Sequence, residues 1–324
     1  MGLLVDGVWQ EDVSRTKDGH FIRPATRFRN FVTADGSPGP SGEGGFPAEP
    51  GRYHLYISLA CPWAHRTLIF RALKKLDDVI SVSFTEPLYG KTGWEFGTTP
   101  RSTRDTANGK ATMAEVYLLA DPRYSGRVSV PVLWDKTRRT IVNNESAEII
   151  RMLNSAFNAF TEVKTDYYPT SLRAEIDRVN DLVYPNLNNG VYRAGFANSQ
   201  AAYEEAAHGV FATLDQLEQR LSGQRYLTGR QITEADWRLF TTLIRFDSVY
   251  FSHFKCNLRR IADYPNLWNY LRELYQVPRV AETVSIEQIK RHYYGSQRHV
   301  NPTGIVPIGP LLDFGAPHDR GRLA

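Results

Sequence analysis

The sequence predicts a small α/β domain followed by an all-α domain, and three observations carry that prediction. Between about residues 51 and 160, short runs of aromatic and β-branched residues alternate with apolar residues at helical spacing. After about residue 165 the strand-like runs stop and amphipathic helical patterns replace them. The chain has 324 residues, enough for roughly two domains with a core each.

The elements follow in order. Residues 1–50 read as an irregular N-terminal extension, ending in the Gly/Pro-rich ADGSPGPSGEGGFPAEPG (34–51), which breaks helix and strand alike. YHLYIS (53–58) alternates like a strand. From Pro62 to Asp77, Ala64, Leu68, Ile69, Ala72, Leu73 and Leu76 keep helical spacing, and VISVSF (79–84) is a second strand. A Gly-, Thr- and Pro-rich insertion, 86–110, is too long for an ordinary connection and suggests a functional loop. TMAEVYLLA (112–120) predicts a short helix. VSVPVLWD (128–135) and RTIVNN (139–144) predict two strands joined by a basic turn, and Glu145–Leu153 a helix. The order β-α-β-α-β-β-α makes one α/β domain over 51–160. An all-helical domain spans 165–300. It includes 202–221, with Val210, Leu214, Leu217 and Leu221 on one stripe and Gly223 just past the end. Another helix starts at Thr233 as N-cap, with Asp236 at the third position of a capping-box-like pair; 267–277 is a further amphipathic helix. The Pro/Gly-rich tail, 301–324, packs as an extended segment.

Composition excludes several classes of function. Charged residues are 23% of the chain and hydrophobic ones 42%, a globular balance rather than a disordered one. A net charge of +4 without a dense basic block argues against nucleic acid as a partner. No apolar run is long enough to span a membrane, and the acidic start MGLLVDGVWQEDVSR lacks the order of a signal peptide. Two cysteines, Cys61 and Cys256, offer no disulfide framework and point to a reducing, cytoplasmic setting. The eight histidines show no metal-ligand spacing, so no metal site is expected, and no Gly-rich nucleotide signature is present.

The chemistry concentrates at Ser58-Leu59-Ala60-Cys61-Pro62-Trp63-Ala64-His65, where a strand runs into a helix with proline at its first position. Cys61 then occupies the N-cap, its sulfur facing the N–H groups of Trp63 and Ala64 and the positive end of the helix dipole. Such placement lowers a thiol pKa from ~8.5 into a range of ~3.5–7.5. Position 64 is Ala, so no C-x-x-C partner resolves a mixed disulfide and an outside thiol must do so. Glutathione is the abundant candidate. Cys256, within FKCNLRR, reads as a structural thiol.

Two further stretches suit a glutathione peptide. In Val128-Ser129-Val130-Pro131 the proline opens a strand. A cis Val130–Pro131 bond would leave the N–H and C=O of Val130 to pair with a peptide. At Asn144-Glu145-Ser146-Ala147 a helix start offers N–H groups and the Ser146 hydroxyl to a carboxylate, and Glu145 to an ammonium group. A γ-glutamyl end carries both charges.

With these motifs the chain resembles the glutathione transferase superfamily, a thioredoxin-like domain followed by an all-helical one. More narrowly it resembles the glutathionyl-hydroquinone reductases, or Xi class. The likeness covers nearly the whole chain. It rests on FVTADGSPGPSGEGGFPAEPGRYHLYISLACPWAHRTLI (31–69), GWEF (93–96), RVSVPVLWD (127–135), NNESAEI (143–149) and HYYGSQRHVNPTGIVPIGP (292–310). The resemblance implies Cys61 as the nucleophile. It also implies Trp94, Arg127, Val130, Glu145 and Ser146 as glutathione contacts, with Val128 and Ser129 in the same strand. Tyr192, Tyr250 and Tyr293 would form a hydroquinone pocket, with Tyr192 giving or taking a proton and the other two helping to hold the thiolate. The neighbouring Tyr294 is the alternative to Tyr293.

The activity implied is removal of glutathione from glutathionyl-hydroquinones through a Cys61–glutathione mixed disulfide, with glutathione as co-substrate and a homodimer as the assembly. A cysteine-type transferase acting as thioltransferase or dehydroascorbate reductase is the nearest rival. A non-catalytic scaffold on the same fold is the rival from another class.

Overall fold

The computed structural model describes residues 2–11 and 16–323. These residues cluster into two units. The first comprises 2–11, 24–165 and 283–288; the second comprises 16–23, 166–282 and 289–323.

The N-terminal extension holds more regular structure than its composition suggests. Strands β1 (Leu3–Val5) and β2 (Val8–Gln10) form one antiparallel hairpin, and β3 (Thr16–Lys17) and β4 (His20–Phe21) a second. Each turns on an Asp-Gly pair at positive φ, Asp6-Gly7 and Asp18-Gly19, the chemistry of a tight hairpin. The first hairpin belongs to unit one, where Leu4 exchanges backbone hydrogen bonds with Gly126 (3.0 and 2.8 Å). The second belongs to unit two.

Unit one is built on a four-stranded sheet of order β6-β5-β7-β8. Its strands are β5 (Tyr53–Ile57), β6 (Ser81–Phe84), β7 (Val132–Asp135) and β8 (Thr140–Asn143). β5 runs parallel to β6 and antiparallel to β7, which pairs antiparallel with β8. Helices α1 (Pro62–Leu73), α2 (Met113–Ala120) and α3 (Ser146–Ser155) complete the β-α-β-α-β-β-α order. Every residue of β5 is buried, because the strand is central and covered on both faces. Its alternation therefore marks a polar residue inside the core. His54 bonds Ser81 Oγ at 2.7 Å and Ser83 Oγ at 3.0 Å on the neighbouring strand.

Several boundaries differ from the sequence reading. α1 ends at Leu73, not Asp77, because Lys75 turns the chain into the left-handed region. β7 begins at Val132 rather than at residue 128: Pro131 has no N–H to give the ladder, and the stretch before it stays irregular. Gly223 lies inside its helix, not beyond it.

The insertion 86–110 has no strand or helix of its own, yet it is tied down by carboxylates. Asp105 Oδ1 accepts from the Tyr56 hydroxyl (2.9 Å) and the N–H groups of Ala107 and Asn108 (2.9 and 3.1 Å). Its Oδ2 accepts from the N–H of Lys110 (2.9 Å).

Unit two is helical apart from its hairpin. It contains α4 (Arg173–Val183), α5 (Gly190–Gly195), α6 (Gln200–Gly223), α7 (Glu234–Arg245), α8 (Pro265–Gln276) and all but the first turn of α9 (Ile286–Ser296). α4, α5 and α9 were not foreseen. Thr233 caps α7 as expected, its N–H donating to Asp236 Oδ2 at 2.7 Å. Two π-helical turns interrupt the pattern, Tyr184–Asn188 ahead of α5 and Phe246–Tyr250 after α7. The tail returns to the end of α6, where the buried Arg320 donates to the carbonyls of Leu221 (2.7 Å), Gln224 (2.7 Å) and Arg225 (2.6 Å). Among the described residues no helix is long and apolar enough to cross a membrane.

Candidate active site

Cys61 follows β5 through a short turn in which its N–H donates to Ser58 O at 3.1 Å. It is the N-cap of α1, with Pro62 at the first helical position and extended backbone angles (φ −76°, ψ 122°). Its side chain makes no capping hydrogen bond; instead Sγ donates to the carbonyl oxygen of Val130 at 3.4 Å. The sulfur was expected to face the N–H groups of Trp63 and Ala64. A protonated thiol is a donor, and the head of a helix offers only donors, so the S–H turns to a carbonyl instead. The Val130 carbonyl, one of the two backbone groups read as available to a peptide, takes this contact on one of its two lone pairs. The Val130–Pro131 bond is cis.

The segment around Val130 is braced from two sides. The fully buried Tyr117 of α2 donates its hydroxyl to Ser129 O at 2.9 Å, and the hydroxyl accepts from Asn144 Nδ2 at 3.0 Å. Burial pushes the Tyr117 phenol up, so it remains a neutral donor. One side chain thus links the irregular stretch before Pro131 to the turn before Glu145. Upstream, the hairpin β1–β2 pairs with Gly126, and the Tyr124 hydroxyl donates to Arg127 O at 3.1 Å. Arg127, Val128 and Ser129 are each half-buried and Val130 is buried.

The head of α3 is likewise built by its neighbours. Glu145 is the N-cap, its Oε1 accepting from Ala147 N–H at 3.1 Å, and its own N–H donates to Asn143 Oδ1 at 2.7 Å. The Ser146 hydroxyl donates to Glu145 Oε1 at 3.4 Å and accepts from Arg66 Nη1 at 3.4 Å. Arg66 is buried on α1, its guanidinium 4.7 Å from the Trp63 ring centre. Residues 28–30 run beside β8: Asn30 N–H donates to Val142 O at 3.0 Å and Asn144 N–H to Phe28 O at 3.2 Å. Trp94, in the insertion, is buried against Tyr89 (ring centres 4.6 Å apart), and its carbonyl accepts the N–H of Met113 at 2.9 Å.

Cys61, Trp94, Arg127, Val128, Ser129, Val130, Glu145 and Ser146 therefore all belong to unit one. Their chemistry suits a zwitterionic peptide bearing a thiol: a carboxylate acceptor, a helix head with a hydroxyl, and a cysteine at the start of another helix. Tyr117 and Arg66 were missed by the sequence reading. The signal for Arg66 was a cation on the apolar stripe of α1; Tyr117 gave none, because its two partners meet only in the folded chain.

The three tyrosines belong to unit two, where they form one hydrogen-bonded group. The hydroxyls of Tyr192 and Tyr293 stand 2.5 Å apart, and those of Tyr250 and Tyr293 3.2 Å apart. Tyr293 is the central member, and burial pushes its phenol well above the ordinary value. Tyr294 lies elsewhere, donating to Ser248 O at 3.3 Å and bonding the Ser252 hydroxyl. Cys256 is fully buried and burial pushes its thiol up to about 12, which suits a structural residue. Among the described residues no cluster of three or more His, Cys, Asp or Glu side chains could hold a metal ion.

Comparison with known proteins places these features in context. Residues 60–156 match the family described as Glutathione S-transferase, N-terminal domain, and residues 200–273 its C-terminal domain. The chain is 56% identical to the glutathionyl-hydroquinone reductase YqjG of Escherichia coli K12, over 99% of this chain and 98% of that protein. The glutathione-bound structure of YqjG superposes with a TM-score of 0.92, covering 99% of each chain. The chain is 53% identical to the glutathionyl-hydroquinone reductase PcpF of Sphingobium chlorophenolicum, over 96% of each. A Xi-class transferase from Natrialba magadii, 47% identical, superposes with a TM-score of 0.93 over 100% of this chain and 98% of that one.

Proposed function

The chain belongs to the Xi class of the glutathione transferase superfamily, and from that membership we propose that it is a glutathione-dependent reductase of glutathionyl-hydroquinones, with Cys61 as nucleophile. The observation that carries the reading is the cysteine thiol at the head of α1, in contact with Val130 O. Near-full-length identity to two reductases of that substrate class supports it.

Glutathione binds with its γ-glutamyl carboxylate at the head of α3, on the Ser146 hydroxyl and backbone N–H groups, and its ammonium at Glu145. Trp94 and Arg127 complete the contacts, and the backbone of Val130, with Val128 and Ser129 beside it, pairs with the peptide. The substrate is a hydroquinone whose ring carbon is bonded to the glutathione sulfur. Its keto tautomer carries a hydrogen on that carbon, which then lies α to a carbonyl. Cys61 thiolate attacks the glutathione sulfur; the S–S bond forms, the C–S bond breaks, and the electron pair leaves as an enolate. The enolate oxygen takes a proton to give the hydroquinone. A phenol must move protons between ring oxygen and carbon, and Tyr192, coupled to Tyr293 and Tyr250, fills that role. A second glutathione thiolate then attacks the mixed disulfide, giving oxidised glutathione and restoring Cys61.

The working form is a homodimer, as the resemblance implies, and the two reduced cysteines fit the cytoplasm. Steady-state assays test the function. Glutathionyl-hydroquinone turnover that disappears in Cys61→Ala, with weak conjugation of aryl halides, is the expected result. Aryl-halide conjugation that survives Cys61→Ala, with no hydroquinone release by the wild type, would refute it.

A further inference from the structure

Residues 16–23 take no part in the mechanism above, yet they are fastened to the helix that carries Tyr192. The β3–β4 hairpin turns at Gly19 (φ +85°), whose carbonyl accepts the N–H of Asn198 at 3.2 Å. A Cβ at Gly19 would come within 2.1 Å of Ser199 Oγ, so the turn lies directly against the N-cap of α6. Asn198 Nδ2 donates to Thr16 Oγ1 at 2.8 Å across the same contact.

The hairpin leads to a cation. Phe21 meets Phe196 edge-on at 5.2 Å, and Phe196 in turn packs on the Tyr192 ring. Two residues on, the Arg23 guanidinium lies 5.1 Å from the centre of the Tyr192 ring and 5.7 Å from that of Phe21. Arg23 Nε donates to Asn189 Oδ1 at 2.8 Å, and Asn189 is the N-cap of α5, its carbonyl accepting the N–H of Tyr192 at 3.0 Å. Arg23 is thus held by its Nε–H on the cap of α5 and by its guanidinium over the ring three residues later.

We propose that Arg23 is a positioning residue for the reductase reaction, fixing the Tyr192 ring and making its phenol a stronger acid. The inference rests on the reading of Tyr192 as the residue that moves protons to the substrate ring. A cation over an aromatic face interacts more favourably as that ring gains negative charge, so it stabilises the phenolate over the phenol. Titratable groups that face Tyr192 include the Tyr293 hydroxyl, the Tyr250 ring and the Arg23 guanidinium. At one remove, Arg245 and His253 act on Tyr293, and burial keeps His253 neutral down to about pH 4. Phe196 and Phe254 also pack on the ring. The Tyr192 and Tyr250 hydroxyls both meet that of Tyr293, so a charge over the Tyr192 ring bears on the whole hydrogen-bonded group.

The test compares wild type with Arg23→Gln, which keeps a donor for Asn189 and removes the charge, and with Arg23→Lys, which keeps the charge. Steady-state kcat and glutathione KM are measured across pH on a glutathionyl-hydroquinone. Alongside them go thermal stability and the rate at which oxidised glutathione modifies Cys61. In Arg23→Gln, kcat falls about tenfold and the basic limb of its profile moves up by about one pH unit. KM and Cys61 modification stay at wild-type values, and Arg23→Lys restores most of the rate. An unchanged kcat and limb in Arg23→Gln overturns the inference. So does a fall in kcat that leaves the limb in place, is equal in Arg23→Lys, or tracks lost stability. A wild type that releases no hydroquinone overturns the reading of the site and this inference together; an active wild type with an indifferent Arg23→Gln overturns the inference alone.

Discussion

Cys61 Sγ donates to the carbonyl oxygen of Val130 at 3.4 Å, so the proposed nucleophile and the backbone that would pair with the peptide hold each other before substrate arrives. A peptide N–H that pairs with that carbonyl competes with the S–H for the acceptor. Displaced, the thiol lies at the head of α1, whose backbone donors and dipole favour the anion. On the proposed mechanism, binding and activation are then coupled through one oxygen atom.

That coupling is measurable. S-methylglutathione, which fills the peptide site without reacting, should increase the ultraviolet absorbance of the Cys61 thiolate at neutral pH. Cys61→Ala supplies the baseline. Thiolate absorbance that is indifferent to the ligand at saturation would mean that Val130 O does not gate the sulfur.

The two carboxylate roles of Glu145 can be separated. Glu145→Gln keeps an oxygen for Ala147 N–H, so the cap survives while the charge opposite the ammonium is lost. Glutathione KM should rise about tenfold with little change in Tm, one ion pair's worth of binding. Glu145→Ala should show the same rise in KM and also lose about 1 kcal/mol of stability with the cap. Equal KM in wild type and Glu145→Gln would remove Glu145 from the binding site.

Tyr192→Phe should lower kcat on a glutathionyl-hydroquinone by about a hundredfold or more, the usual worth of a positioned proton donor. Reaction of Cys61 with oxidised glutathione, which breaks no carbon–sulfur bond, should be unaffected. Tyr293→Phe removes the hydroxyl shared by the other two phenols and should shift the pH profile of kcat, whereas Tyr294→Phe should not. A variant pair with the opposite ranking would contradict the geometry of the group.

Acid should destabilise the fold through two buried histidines. Burial lowers His54 to about 4 and His253 to about 4. The unfolded chain takes up a proton on each near pH ~6.5 while the folded one does not, so stability is lost as pH falls from ~6.5 toward ~4 and levels below that. Thermal melts across this window should show Tm declining, with a shallower decline in His54→Asn or His253→Gln. A slope unchanged in both variants would assign the acid sensitivity to other groups.

Local chemistry was what the sequence made readable. The strand, Cys61, Pro62 and amphipathic helix are consecutive, so periodicity and one cap place Cys61 at the head of α1; Thr233 and Asp236 place the start of α7 in the same way. α4 and α5 were hidden because YPNLNNG reads as a breaker, and the fold absorbs Pro185 in a π-turn instead of ending the helix. β7 read too long because Val128 and Val130 fit a strand pattern while Pro131 keeps them off the ladder. Tyr293 and Tyr294 are equivalent in sequence, but adjacent helical residues point about 100° apart, and only tertiary packing decides which one joins Tyr192. Arg23, Tyr117 and Arg66 act on partners far along the chain, beyond the reach of any local pattern.

The most direct test of the central claim is a rapid-quench experiment in which the protein meets one equivalent of a glutathionyl-hydroquinone, with no other thiol present, and is then analysed by mass spectrometry. The account predicts a glutathione adduct on Cys61 that forms in step with release of hydroquinone and disappears when glutathione is added. Hydroquinone released while Cys61 stays unmodified, or released equally by Cys61→Ala, would contradict it.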